Sequence, residues 1–130
     1  MQKFQGYSSP RSITYSNNMD LSALDLSGLD FNGLTLASAN LKEADLSRAT
    51  FENANLSRAN LSKSSLAHAR CMKACMTFAN LNGCNFSRAN LTSASLHGAN
   101  LTKANLKPAT IRNTSFKNAK LIGTIGYKPS

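Results

Sequence analysis

The sequence predicts an all-β solenoid, a chain wound repeatedly around its own apolar axis, and three observations carry that reading. Large apolar residues recur at every fifth position from Leu21 to Leu121, filling 20 of the 21 positions, with Cys71 in the other. Alanine stands two residues before them in 14 of the 21 repeats, among them Ala39, Ala44, Ala49 and Ala54. No insertion or deletion breaks the phase from the first repeat to the last.

A period of five excludes the simpler elements. On an α-helix five residues turn through about 500°, so successive leucines would drift around the axis by about 140°. On a flat strand an odd period would send alternate leucines to opposite faces. The chain therefore turns once per repeat. Alanine and leucine, two apart, share one side of a short extended piece, and the two polar residues that follow make the bend.

The stretch "SANLKEADLSRATFENANLSRANL" resembles the pentapeptide-repeat family, whose unit is A-D/N-L-x-x, and the resemblance covers roughly residues 19–123. It implies a right-handed quadrilateral parallel β-helix with four pentapeptides per coil. The central residue and the alanine two before it point inward, and the other three positions point outward. About five coils at the ~4.8 Å strand spacing make a rod roughly 25 Å long. Its core is expected to contain Leu41, Leu46, Phe51, Leu56, Leu61, Leu66, Met76, Leu81, Phe86, Leu91, Leu96 and Leu101.

The ends of such a rod expose apolar axis and unpaired backbone. Residues 1–18, with Phe4, Tyr7, Ile13 and Tyr15, are expected to form an N-terminal cap or a partly disordered arm, and residues 19–123 the β-helix. Residues 124–130 are expected to form a C-terminal tail or cap, with Ile122, Ile125 and Tyr127 available to cover that end. The first coil departs from the family pattern, because its alanine slots hold Met19, Leu24, Leu29 and Leu34. These larger side chains should widen the coil or fill space that a preceding rung would have filled.

His68, Cys71 and Cys75 fall within eight positions, close enough in sequence to suggest a metal site. The implied fold separates them: Cys71 points inward, Cys75 points outward and His68 lies on an earlier face. No metal or other cofactor is expected. Cys84 takes an alanine slot and should be interior. Three cysteines without a secretory h-region suit a reducing, cytoplasmic compartment. The N-x-S/T matches at Asn55, Asn60, Asn85, Asn90, Asn100 and Asn113 follow from the repeat itself. Asn40, Asn60, Asn80 and Asn100 should stack along one face, their amides bonding neighbouring backbone or each other.

Function is sought among the outward positions, where charge is strongly asymmetric. All six acids lie before residue 53, while residues 53–130 carry eleven of the 15 Lys and Arg, for a net charge of +9. Folded at twenty residues per coil, Arg48, His68 and Arg88 form one column with Lys107 close by, and Arg70, Lys73 and Arg112 fall on the next face. Stacked cations suggest an anionic partner, although cations also keep a polar rod soluble. Met72, Cys75 and Phe78 put apolar side chains where the repeat normally places polar ones. Arg58 should lie one coil from Phe78, within cation–π range. Glu43 is expected to pair with Lys63.

Catalysis is not predicted. The carboxylates are surface groups, no serine or cysteine has a base partner, no glycine-rich phosphate loop is present, and a thin convex prism offers no pocket. The leading expectation is a non-enzymatic protein-interaction module or scaffold that presents flat faces to a protein partner and has no small-molecule substrate. The alternative is an electrostatic binder of nucleic acid or anionic membrane. Some members of the family mimic DNA and inhibit gyrase, but that role needs an acidic surface. Others are secreted bacterial effectors, and the acid-free, Ser-containing residues 1–18 are compatible with a secretion address. The oligomeric state is left open.

Overall fold

Parallel bridges join residues twenty apart along the chain, from Asp20 with Asn40 to Asn105 with Ile125. One coil therefore takes twenty residues, and four repeats make its four sides. The structure, a computed structural model, describes residues 18–128. The expected N-terminal cap, with Phe4, Tyr7, Ile13 and Tyr15, lies outside the described residues. The first to fifth coils are residues 19–38, 39–58, 59–78, 79–98 and 99–118, followed by a partial sixth. Faces 1 to 4 are named here from the centres Leu21, Leu26, Phe31 and Leu36 and the residues stacked on them.

Each corner is a tight turn whose chemistry explains the two variable positions of the repeat. The Leu36 carbonyl accepts the Ala39 N–H at 3.1 Å, and the same bond recurs around the rod. The residue two after the centre is left-handed in 20 of the 21 repeats, with φ between 57° and 72°. Positive φ at the third residue of a four-residue turn, and not at the second, marks a type II turn. None of those 20 residues is β-branched, as expected where a branched Cβ would clash. Proline cannot adopt positive φ, and at Pro108, the remaining position, the Lys107–Pro108 peptide bond is cis.

The axis is dry. All twelve expected core residues are 0% exposed, as are Phe31 and Cys71. The Phe31 and Phe51 rings stack with centroids 5.0 Å apart and 6° between planes. Each buried leucine is worth roughly 1.5–3 kcal/mol, and each coil touches only its neighbours.

The first coil keeps the same register despite its large slots: Asn40, Asp45, Thr50 and Asn55 donate to the carbonyls of Met19, Leu24, Leu29 and Leu34. Leu29 and Leu34 are buried, whereas Leu24 is 45% exposed, so two leucines fill the axis and Leu24 does not.

At the other end Tyr127 packs edge-on against Phe116, with centroids 4.8 Å apart. Ile122 and Ile125 do not join it and remain 76% and 54% exposed. Among the described residues, one aromatic thus packs over this end. Beside it lies an open hollow of about 690 Å³, lined by Ile111, Phe116 and Tyr127 with Arg112, Lys117 and Lys128 at its rim. This corrects the expectation of a rod without concavity.

Candidate interaction surface

Outward side chains are placed by their position within the repeat. The residue before each centre lies on a flat face, and the two after it lie on a corner. Asn or Asp before the centre accepts a hydrogen bond from the backbone N–H two residues on, as in Asn60 to Ser62 at 3.0 Å and Asn100 to Thr102 at 3.0 Å. The asparagine column thus bonds neighbouring backbone, as expected, within its own turns, and Asn40 also donates its amide to the Asp20 carboxylate on the preceding coil at 3.4 Å. Asp20 and Asp25 do the same with Ser22 and Ser27, whose hydroxyls and N–H groups hold both carboxyls below their ordinary pKa.

The basic column forms as expected, but at the corner between faces 2 and 3. Arg48 donates its N–H to Ala67, His68 to Ser87 and Arg88 to Pro108, so the three residues sit on successive coils. All three side chains are exposed. Lys107 lies at the same corner, but Pro108 occupies the next place in the column and ends it. Arg70 on face 3 is not free: its guanidinium meets the Glu52 carboxylate at 2.8 Å and 3.0 Å. Lys73 and Arg112 lie on the corner between faces 3 and 4 and are exposed. The anticipated Glu43–Lys63 pair does not form; Arg70–Glu52 takes its place as the ion pair among the described residues. An arginine reaches diagonally across one coil to a longer acid, which stacking by twenty does not reveal.

The cysteines separate as the fold requires. Cys71 and Cys84 are buried, Cys75 is half-buried, and all three are free. Burial pushes the Cys84 thiol up to about 12, against a hydrogen bond with Ser64 at 3.4 Å that acts the other way. The Cys71 thiol is pushed up further, by burial and by neighbouring Cys84. His68 projects from a corner away from both, and no cluster of three or more potential metal ligands occurs among the described residues.

Met72, Cys75 and Phe78 cross face 4 on the third coil, from one corner to the other. Met72 and Cys75 are half-buried, and Phe78 is 51% exposed. The Arg58 guanidinium lies 5.0 Å from the Phe78 ring centroid, confirming the expected cation–π contact. His97 approaches the ring from the coil above, with centroids 5.4 Å apart and 85° between planes. Gly98 stands directly behind: a Cβ there would come within 2.5 Å of the ring. Neither His97 nor Gly98 was singled out from sequence, although Gly98 falls one twenty-residue step after Phe78.

Comparison with known proteins agrees with this geometry. The family model for a pentapeptide repeat region matches residues 44–121, and that for pentapeptide repeats, in eight copies, matches residues 17–53. No curated protein sequence matches the chain. Among solved structures, the chain is similar to the pentapeptide repeat protein Rfr23 from the cyanobacterium Cyanothece 51142, at 35% identity over 74% of this chain and 63% of that one, with a TM-score of 0.56. It thus spans less than two thirds of Rfr23. It is also similar to a pentapeptide repeat protein of the Arabidopsis thaliana thylakoid lumen, at 32% identity over 82% of this chain and 70% of that one, with a TM-score of 0.51. QnrB1, a plasmid-mediated fluoroquinolone resistance protein, shares the fold at 23% identity over 82% of this chain and 58% of that one, with a TM-score of 0.59. Such proteins are right-handed quadrilateral β-helices and non-enzymatic repeat scaffolds. The unbroken five-residue phase, the twenty-residue coil and the family match together make this chain a member of the pentapeptide-repeat family.

Proposed function

We propose that this protein is a non-enzymatic scaffold that binds a protein partner through a flat side of the β-helix. The observation that carries the reading is the apolar row Met72, Cys75 and Phe78, which crosses a surface otherwise lined by small polar side chains such as Asn55 and Ser95. Large apolar groups at outward positions contribute nothing to the axial core, and an aromatic flanked by arginine is the kind of group that dominates protein interfaces. Capture of a partner at physiological salt by the intact rod, with cross-links mapping to its faces, is the expected result. A rod that retains no protein under those conditions, yet binds polyanions tightly, would replace this reading.

A second reading rests on the column Arg48, His68 and Arg88. Cations held about 4.8 Å apart along an edge present a repeating positive line to nucleic acid or an anionic membrane. Among the described residues there is no helix to enter a groove, and no aromatic lies between these cations for base stacking. Substituting Arg48, Arg70, Lys73 and Arg88 by Gln should abolish binding to duplex DNA, RNA and anionic vesicles, while a protein contact made through Met72 and Phe78 loses only the share that Lys73 lends it. The Arg70–Glu52 pair implies that Arg70 contributes least of the four.

A further inference from the structure

We propose that face 4 of the third coil is a docking seat for an acidic, extended segment of a partner protein that carries one apolar anchor, with the anchor resting on Phe78. This deepens the scaffold reading and rests on it.

The ring is a positioned group, not a stray surface hydrophobe. Arg58 covers it at 5.0 Å, His97 meets it edge-on at 5.4 Å, and Gly98 removes the Cβ that would displace it. A side chain already held in place loses little entropy when a partner arrives, which is how an anchor becomes an energetic hot spot. Even so, 51% of the residue remains open to solvent.

The surroundings define what can sit there. Outward residues along face 4 are Thr35, Asn55, Cys75, Ser95 and Ser115, short side chains that let another backbone approach closely. The two flanking corners carry Lys73 and Arg112 on one side and Arg58 and Lys117 on the other, all exposed. The acid on these corners, Glu52, is engaged by Arg70. The seat is therefore a small apolar strip framed by uncompensated positive charge. A basic partner would be repelled, and a purely apolar one would leave four cations facing a low-dielectric interface.

The test uses fluorescein-labelled twelve-residue peptides: a Glu-rich peptide with one central Phe, the same peptide without the Phe, and a Lys-rich counterpart with the Phe. Fluorescence anisotropy with the full chain should show the anchored acidic peptide binding at least about tenfold tighter than either control, which is about 1.4 kcal/mol. Phe78→Asn should remove that advantage. Asparagine tolerates the left-handed backbone at this position, so the fold is retained, as circular dichroism can verify. Lys73→Glu with Arg112→Glu should weaken binding of the acidic peptide, whereas Lys103→Glu, on the corner between faces 1 and 2, should not. Equal binding of both acidic peptides, equal loss in Lys103→Glu, or no binding of any acidic peptide overturns the proposal. A protein partner captured by the rod but cross-linked to another face, and indifferent to Phe78→Asn, would overturn this seat while leaving the scaffold reading standing.

Discussion

Cys71, Cys75 and Cys84 show how a position within the repeat determines a residue's chemistry. The same thiol is inert in the axis and reactive on a face, because the thiolate needs solvation that the axis withholds. Under native conditions one thiol per chain, Cys75, should react with a chromogenic disulfide reagent, and all three should react after unfolding in urea. Two or more fast thiols in the native protein would contradict the burial of Cys71 and Cys84. The linkage has a defined sign. The folded Cys84 thiol titrates at about 12 and the unfolded one near 9.0, so its contribution to stability is intact below pH 9 and falls as pH rises from there towards 12. Cys84→Ala, which restores the residue usual in that slot, should lessen the alkaline decline measured by urea unfolding between pH 8 and 10, the buried Cys71 thiol accounting for a remainder.

At the level of the five-residue element, the left-handed corner is the demanding feature. Non-glycine residues there cost roughly 1 kcal/mol each, offset by the turn hydrogen bond and by the N–H that reaches the next coil. Ser93 is a clear case, with φ of 62° and its N–H donated to Arg112 at 2.9 Å. Ser93→Val should lower unfolding stability by about 1–2 kcal/mol, and Ser93→Gly should be neutral or slightly stabilising, by urea titration. Central positions should follow burial. Leu61→Ala, at 0% exposure, is expected to cost about 2–5 kcal/mol, and the same change at half-buried Leu121 clearly less.

Over the whole molecule the backbone and the side chains polarise the rod in the same direction. Each repeat sends two N–H groups to the following coil, as Leu41 and Glu43 do to Asn60 and Ser62. One N–H, that of Asn40, returns to the preceding coil at Met19. The C-terminal end is thus the positive pole of the backbone, and residues 53–130 add eleven cations and no acid. In an α-helix the cations at that end would oppose the dipole; here they reinforce it. Screening should therefore help. The thermal midpoint is expected to rise between about 10 mM and 500 mM NaCl, and a fall by calorimetry would mean that attractive pairs such as Arg70–Glu52 outweigh the repulsion.

The sequence by itself determined the winding, because an unbroken period of five leaves a chain that must turn once per repeat whatever its surface carries, and the family resemblance then implied the two inward positions of each repeat. With the twenty-residue coil that the family resemblance implies, position in the chain also converts into column: Arg48 with His68 and Arg88, and Arg58 beside Phe78. Only the tertiary structure decided which outward groups meet across columns. The Arg70–Glu52 pair spans a face and a corner, His97 turns its ring onto Phe78 from a neighbouring column, and Leu24 stays out while Leu29 and Leu34 fill the axis. Long side chains choose among several neighbours at similar distances, and the choice depends on rotamer, reach and local charge, none of which a repeat register specifies. The open C-terminal hollow was hidden for the same reason: whether Tyr127, Ile122 or Ile125 folds over the axis depends on the path of a chain that has left the repeat.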